Sequence, residues 1–202
     1  MDNIDLKFNE VCGSPSDINE HIKTLYNYSK ECTSVMELGI RGCISSWAFV
    51  KGLLDNNNST KKFFMNDVVS CDIDYLLKST KDLPIEVKYE WISDLDLVVN
   101  ENYDLVFIDT WHIYGQLIRE LKKFSKITNK YIIMHDTETY KINSEEGCGM
   151  TIEQRMEQTG FTREEIVGGL QLALDEFLKE NNEWEIKEVF TNNNGLTILQ
   201  KK

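Results

Sequence analysis

The stretch Asp104–Glu138, DLVFIDTWHIYGQLIRELKKFSKITNKYIIMHDTE, constrains the fold more than any other part of the chain. Leu105, Val106, Phe107 and Ile108 form a continuous apolar run, the pattern of a strand buried on both faces of a parallel sheet. Beyond Asp109, apolar residues recur at Ile113, Leu117, Leu121 and Phe124, the three-to-four spacing of an amphipathic helix. Tyr131, Ile132, Ile133 and Met134 make a second apolar run, closed by His135-Asp136-Thr137. A right-handed strand–helix–strand unit sets the carboxyl ends of its two parallel strands side by side. Open α/β sheets bind ligands at that edge, so Asp109, His112, His135 and Asp136 are expected to converge there.

Length and charge bound what surrounds this unit. A chain of 202 residues buries a sizeable core as a single domain. Its net charge of −12 argues against nucleic acid, whose phosphates call for a basic stripe. The five cysteines are scattered with no CxxC pair, which reads as reduced thiols and a cytoplasmic protein. The sequence shows no leader pattern and no apolar run long enough to span a bilayer, so no membrane partner is expected.

The first dozen residues give no firm pattern. Ser14-Pro15-Ser16-Asp17 reads as a helix start, with Ile18, Ile22 and Leu25 on the buried face of a helix reaching about Ser29. His21 beside that stripe is expected to be structural and partly exposed. Ser34–Leu38 (SVMEL) reads as the first strand, feeding Gly39-Ile40-Arg41-Gly42 and a helix from about Ser45 to Leu54. A strand, a glycine turn and a helix N-terminus make a nucleotide-type site. Glu37 stands in an otherwise apolar strand end, where a buried carboxylate needs a cation or donors; the bland alternative is a surface pair with Arg41.

Asp67–Ile73 reads as the second strand. Its terminal Asp72 stands where such folds hydrogen-bond a ribose diol, with Asp74 as competitor. Ile85–Trp91 reads as the third strand, followed by Ser93 and Asp94, which could reach an adenine edge or, for Ser93, cap a helix. Thr139–Met150 reads as a mobile loop over the site, holding Gly147 and Gly149. Phe161–Asn181 reads as one helix, with Thr162 and Glu165 as a capping box. Trp184–Phe190 and Gly195–Leu199 read as an antiparallel hairpin closed by Asn194-Gly195.

With ELGxxG on the first strand and a terminal antiparallel hairpin, the region from Ser34 to the C-terminus resembles the class I S-adenosylmethionine-dependent methyltransferases. The resemblance implies an α/β, Rossmann-like fold. Its mostly parallel seven-stranded sheet would carry helices on both faces, with the core over 34–202 and a helical segment over 1–33. FIDTWH followed by IIMHDT resembles the metal-dependent O-methyltransferases of the catechol and caffeoyl type. The stretch from Ser16 to Phe49 is similar to a sugar O-methyltransferase group related to macrocin-type and cephalosporin-hydroxylase-like proteins. That group includes glycan-modifying domains of bacteria and large viruses, so this chain could be one domain of a longer polypeptide.

The resemblance assigns Glu37, Gly39 and Ser45 to cofactor binding, Asp72 to the ribose and Trp111 to adenine packing. Asp109 and Asp136 match metal-binding acids, with His135 or Thr137 as a third contributor. His112 stands where the catalytic lysine is expected and Thr137 where an asparagine ligand would be. The implied activity is O-methylation of a sugar or oligosaccharide hydroxyl, assisted by magnesium or manganese, with His112 as base and a catechol or phenol as alternative acceptor. A non-catalytic nucleotide- or glycan-binding module is the alternative of another class. Methyl transfer from a sulfonium is an in-line displacement, so positioning and nucleophile activation carry the catalysis. Two facing carboxylates would repel each other without a cation, which is itself a reason to expect one.

Overall fold

The computed structural model describes residues 3–58, 60–145 and 149–202. Seven strands form one sheet: β1 (Ser34–Leu38), β2 (Lys62–Asp67), β3 (Glu86–Trp91), β4 (Tyr103–Ile108), β5 (Thr128–His135), β6 (Trp184–Phe190) and β7 (Leu196–Lys201). Their order is β3-β2-β1-β4-β5-β7-β6, with β7 antiparallel to both β5 and β6 and every other pairing parallel. The order reverses between β1 and β4, so the crevice of an open α/β sheet lies above those two strands. This is the α/β architecture expected from the sequence, terminal hairpin included.

Strand periodicity divides the core. Val35, Phe63, Met65, Leu105, Phe107 and Ile133 face one side, where they pack against α1 (Asn3–Gly13), α2 (Ile22–Lys30) and α3 (Ile44–Asp55). Met36, Leu38, Phe64, Val106, Ile108 and Ile132 face the other, against α5 (Tyr114–Phe124) and α8 (Leu170–Glu180). The helical stripe read from the sequence is the buried one: Ile113, Leu117, Leu121 and Phe124 are at most 3% exposed. Burying each such side chain contributes on the order of 1.5–3 kcal/mol. Among the described residues no helix is long and apolar enough to cross a membrane. The four described cysteines are unpaired; Cys148 lies outside the described residues.

The opening residues, which read as an entry loop or a short helix, form α1. Four expectations are corrected. The helix read from Ser14 begins only after a 3-10 turn at Asn19–His21. Asn193 accounts for the delay: its side chain accepts from Glu20 N and donates to Ser16 O, drawing this segment onto the β6–β7 turn. His21 is structural but buried, at 1% exposure, with Nε2 3.0 Å from Asn192 O and 3.2 Å from Asn193 O. The second strand ends at Asp67, six residues earlier than its apolar pattern suggested. Phe63, Phe64 and Met65 are buried, whereas Val68 and Val69 are exposed at 66% and 57%. Finally, the helix read over Phe161–Asn181 is two, α7 (Arg163–Val167) and α8, broken at Gly168-Gly169. A Cβ on Gly169 would sit 2.5 Å from the Ile142 carbonyl carbon, so this break seats the segment that follows β5.

Candidate active site at the carboxyl edge of the sheet

A cavity of about 820 Å³ opens over the carboxyl ends of β1, β2 and β4. Its floor is the β1–α3 turn. Gly39 has φ 83, and a Cβ there would lie 2.0 Å from Asp109 O, so the turn requires glycine both for its handedness and for its approach to β4. Asp67, at the end of β2, pins the same turn: its Oδ2 accepts from Ile40 N and Arg41 N, each at 3.0 Å.

Glu37 lies beneath the turn with no exposure, and the hydroxyls of Ser45 and Ser46 donate to its two oxygens. Burial pushes its carboxyl up to about 8, against the opposing effect of the two hydroxyls. The surface pair with Arg41 does not form, because Arg41 pairs with Asp17. Ser45 and Gly39 line the cavity, whereas Glu37 meets it only through Ser45.

Asp72 is not at the site. It is exposed in the loop beyond β2, where its Oδ1 accepts from Asp74 N at the start of α4 (Asp74–Thr80), and neither residue lines the cavity. Asp67 occupies the strand-end position instead. Ser93 and Asp94 do line it, ahead of and within a 3-10 turn at Asp94–Asp96. Ser93 makes no side-chain capping bond. Gln116 Nε2 donates both to Asp94 Oδ1 (3.0 Å) and to Glu120 Oε1 (2.8 Å). Burial raises the pKa of both carboxyls, and the charge of Asp94 raises Glu120 further.

Trp111 stacks on Phe161 (centroids 6.3 Å, planes 12° apart), with the Arg155 guanidinium 5.1 Å from its centroid and its Nε1 donating to Glu145 O at 2.9 Å. Arg155 belongs to α6 (Ile152–Thr159), started by a Thr151–Gln154 capping box. The sequence reading placed no element there.

The acidic centre forms where β4 and β5 end. His112 Nε2 lies 3.2 Å from Asp109 Oδ1 and 3.0 Å from Asp136 Oδ2, and its Nδ1 lies 2.9 Å from Glu145 Oε2. Donor atoms of Asp109, His112 and Asp136 all fall within 4.8 Å of one another. Asp136 holds φ 59, a left-handed conformation that an aspartate tolerates and most residues avoid. His135 is buried behind this trio, its Nε2 3.1 Å from Asn193 O and its Nδ1 3.4 Å from Asp109 Oδ1. Asp136 Oδ1 is buried with no hydrogen bond of its own, 3.7 Å from His135 Nδ1. Burial works against the charge on Asp109, but the hydrogen bonds and charges of the two histidines outweigh it and hold its carboxyl below the usual range. Burial also disfavours charged His112, yet Asp109 and Glu145 push it up to about 10.

The convergence of Asp109, His112, His135 and Asp136 is as expected. Asp67, Arg155 and Glu145 were not anticipated. Only Asp67 left a signal, as the acid one residue past an apolar FFM run. In the Thr139–Met150 segment, Glu145 N donates to His112 O at 2.9 Å, and Gly147 lies outside the described residues.

No family model matches the chain, and no curated protein matches it in sequence. Solved structures do. The S-adenosylhomocysteine-bound methyltransferase PaMTH1 of Podospora anserina superposes with TM-score 0.60 at 12% identity, over 100% of this chain and 88% of that one. An O-methyltransferase from Bacillus cereus, in complex with S-adenosylhomocysteine, gives 0.58 at 13%, over 98% and 91%. The N-methyltransferase NodS of Bradyrhizobium japonicum WM9 gives 0.56 at 13%, over 92% and 96%. At these identities the likeness shows the fold, and that fold is the class I, Rossmann-like one of S-adenosylmethionine-dependent methyltransferases.

Proposed function

We propose that this chain is an S-adenosylmethionine-dependent O-methyltransferase that acts on a hydroxyl of a sugar or glycan with the help of a divalent cation. The observation that carries this reading is the meeting of Asp109, His112 and Asp136 beside the Gly39 turn, in one cavity of a methyltransferase fold. Gly39 and Ser45 would receive the amino-acid end of the cofactor, Asp67 its ribose, and Trp111 with Ser93 and Asp94 its adenine. This replaces Asp72 by the acid that ends β2.

The residues fit a cation. Two carboxylates and an imidazole nitrogen already converge, and Asp136 Oδ1, buried with no hydrogen bond of its own, lies 3.7 Å from His135 Nδ1 at the edge of that cluster. Asp109, His112 and Asp136 would hold it; two carboxylates with one imidazole suit manganese somewhat better than magnesium. When bound, such an ion lowers the pKa of an attached hydroxyl, the help that a weakly acidic sugar hydroxyl needs most. His112 Nε2 is turned toward the two carboxylates, which favours a ligand role over the base role implied by the family resemblance.

One observation favours a second reading. A protonated His112, 3.2 and 3.0 Å from the two acids, itself offsets part of their charge and would leave a metal-independent enzyme or a binding module. The deciding experiment is methyl transfer from S-adenosylmethionine to a panel of sugars, glycosides and phenols, after chelation and after re-addition of manganese. The expected result is transfer to a sugar that chelator abolishes and manganese restores, and that Asp109→Ala and Asp136→Ala both lose. Full activity in chelator, with wild-type rates for Asp136→Ala, would remove the cation from the mechanism; transfer confined to phenols would replace the acceptor class.

A further inference from the structure

We infer that Glu145 is a positioning residue for the candidate metal centre: it fixes the ring of His112 so that Nε2 faces Asp109 and Asp136. This inference rests on the cation reading above and deepens it. An imidazole that donates Nδ1–H to a carboxylate keeps its Nε2 lone pair for a ligand, and such outer partners set both the tautomer and the ring orientation.

Glu145 is placed for this by more than its side chain. Its N donates to His112 O at 2.9 Å and its O accepts from Trp111 Nε1 at 2.9 Å, so its backbone grips the two residues that follow the β4 turn. From that anchored backbone, Oε2 reaches His112 Nδ1 at 2.9 Å. The ring of Tyr140 lies parallel to the imidazole, 4.7 Å away and 2° off its plane, and holds the ring against rotation. Tyr140 is itself tied to the end of β5, its N donating to Asp136 O at 3.0 Å. The segment after β5 therefore folds back over the segment after β4, and the ligand histidine is clamped from both.

Removal of the Glu145 side chain leaves its backbone contacts in place. The test is manganese binding to the purified chain, read from the electron paramagnetic resonance of free manganese, with S-adenosylhomocysteine affinity measured by calorimetry on the same samples. Glu145→Ala should weaken manganese binding about 10- to 100-fold. Glu145→Gln, which keeps an acceptor oxygen but not the charge, should weaken it less. S-adenosylhomocysteine affinity should stay within about 3-fold in both, since Trp111 bonds to the backbone of Glu145 and not to its side chain. Wild-type manganese affinity in both variants would overturn the inference while leaving the cation reading intact. An equal loss of S-adenosylhomocysteine binding would overturn it in favour of a merely structural role. Failure of the wild-type chain to bind manganese would overturn the cation reading and this inference with it.

Discussion

Replacing Glu37 by glutamine should leave the protein about as stable as wild type at acid pH and more stable than wild type at alkaline pH. Glu37 is fully buried, and burial pushes its carboxyl from 4.5 to about 8. For an acid raised on folding, the folded state keeps a proton that the unfolded chain has already lost. The stability it supports is therefore fully present below the unfolded value and falls as pH rises from 4.5 to about 8. A rise of that size corresponds to a loss on the order of 5 kcal/mol by pH 8.5, an upper bound if water reaches the ionised group. Glutamine cannot ionise. Its carbonyl can still accept from the Ser45 hydroxyl, and its amide can donate to that of Ser46. Near pH 5 the variant should therefore lie within about 1 kcal/mol of wild type. Urea unfolding of both proteins, without cofactor and in chelator, gives the difference directly, because every other titrating group cancels between them. By about pH 8.5 glutamine should be the more stable by at least roughly 2 kcal/mol. A stability difference that stays constant from pH 5 to 8.5 would refute the argument, and would mean that Glu37 is ionised in the fold at neutral pH.

Two further changes test the floor of the cavity. Asp67→Ala should weaken S-adenosylhomocysteine binding by about 1–3 kcal/mol in calorimetry, while Asp72→Ala, at an exposed loop position, leaves it unchanged; the reverse result would restore the ribose role to Asp72. Gly39→Ala meets both a φ of 83 and a backbone oxygen 2.0 Å from the new Cβ, so it should lower stability by more than the roughly 1–3 kcal/mol of backbone strain alone, and thermal melting close to wild type would contradict the packing described.

The parts of this molecule that could be read in the sequence are those where burial and periodicity agree. β4, α5 and β5 each carry a pattern that only one element type satisfies, and the acids at the strand ends follow from the topology. β2 was misplaced because Val68 and Val69 look like strand residues, yet both are exposed at the mouth of the cavity; composition reports propensity and not the side on which a residue ends. The break at Gly168-Gly169 was hidden because the apolar positions on either side stay in helical phase, while its cause is a backbone contact with Ile142 that lies far away in sequence. Glu145 and α6 were invisible for a simpler reason: α6 buries no residue, so no stripe marks it, and Glu145 acts through contacts 33 residues distant.

On the cation reading proposed above, the two departures from the catechol-type resemblance act together. Thr137, standing where the resemblance would place an asparagine ligand, accepts a hydrogen bond from the Thr197 hydroxyl of β7 at 2.9 Å. On the cation reading, His112, in place of lysine, would supply a donor from the other strand end, where its Nε2 lies 3.2 and 3.0 Å from the two carboxylates. A lysine at that position would be a compact charge, whereas an imidazole offers a nitrogen lone pair once a cation displaces its proton. The His135 ring, anchored to Asn193 O, adds a second nitrogen behind the first. The two positions would then amount to one exchange, an oxygen donor absent from the β5 end and a nitrogen donor present at the β4 end. It would keep three donors, from Asp109, His112 and Asp136, around one point, with a nitrogen content that manganese accepts more readily than magnesium.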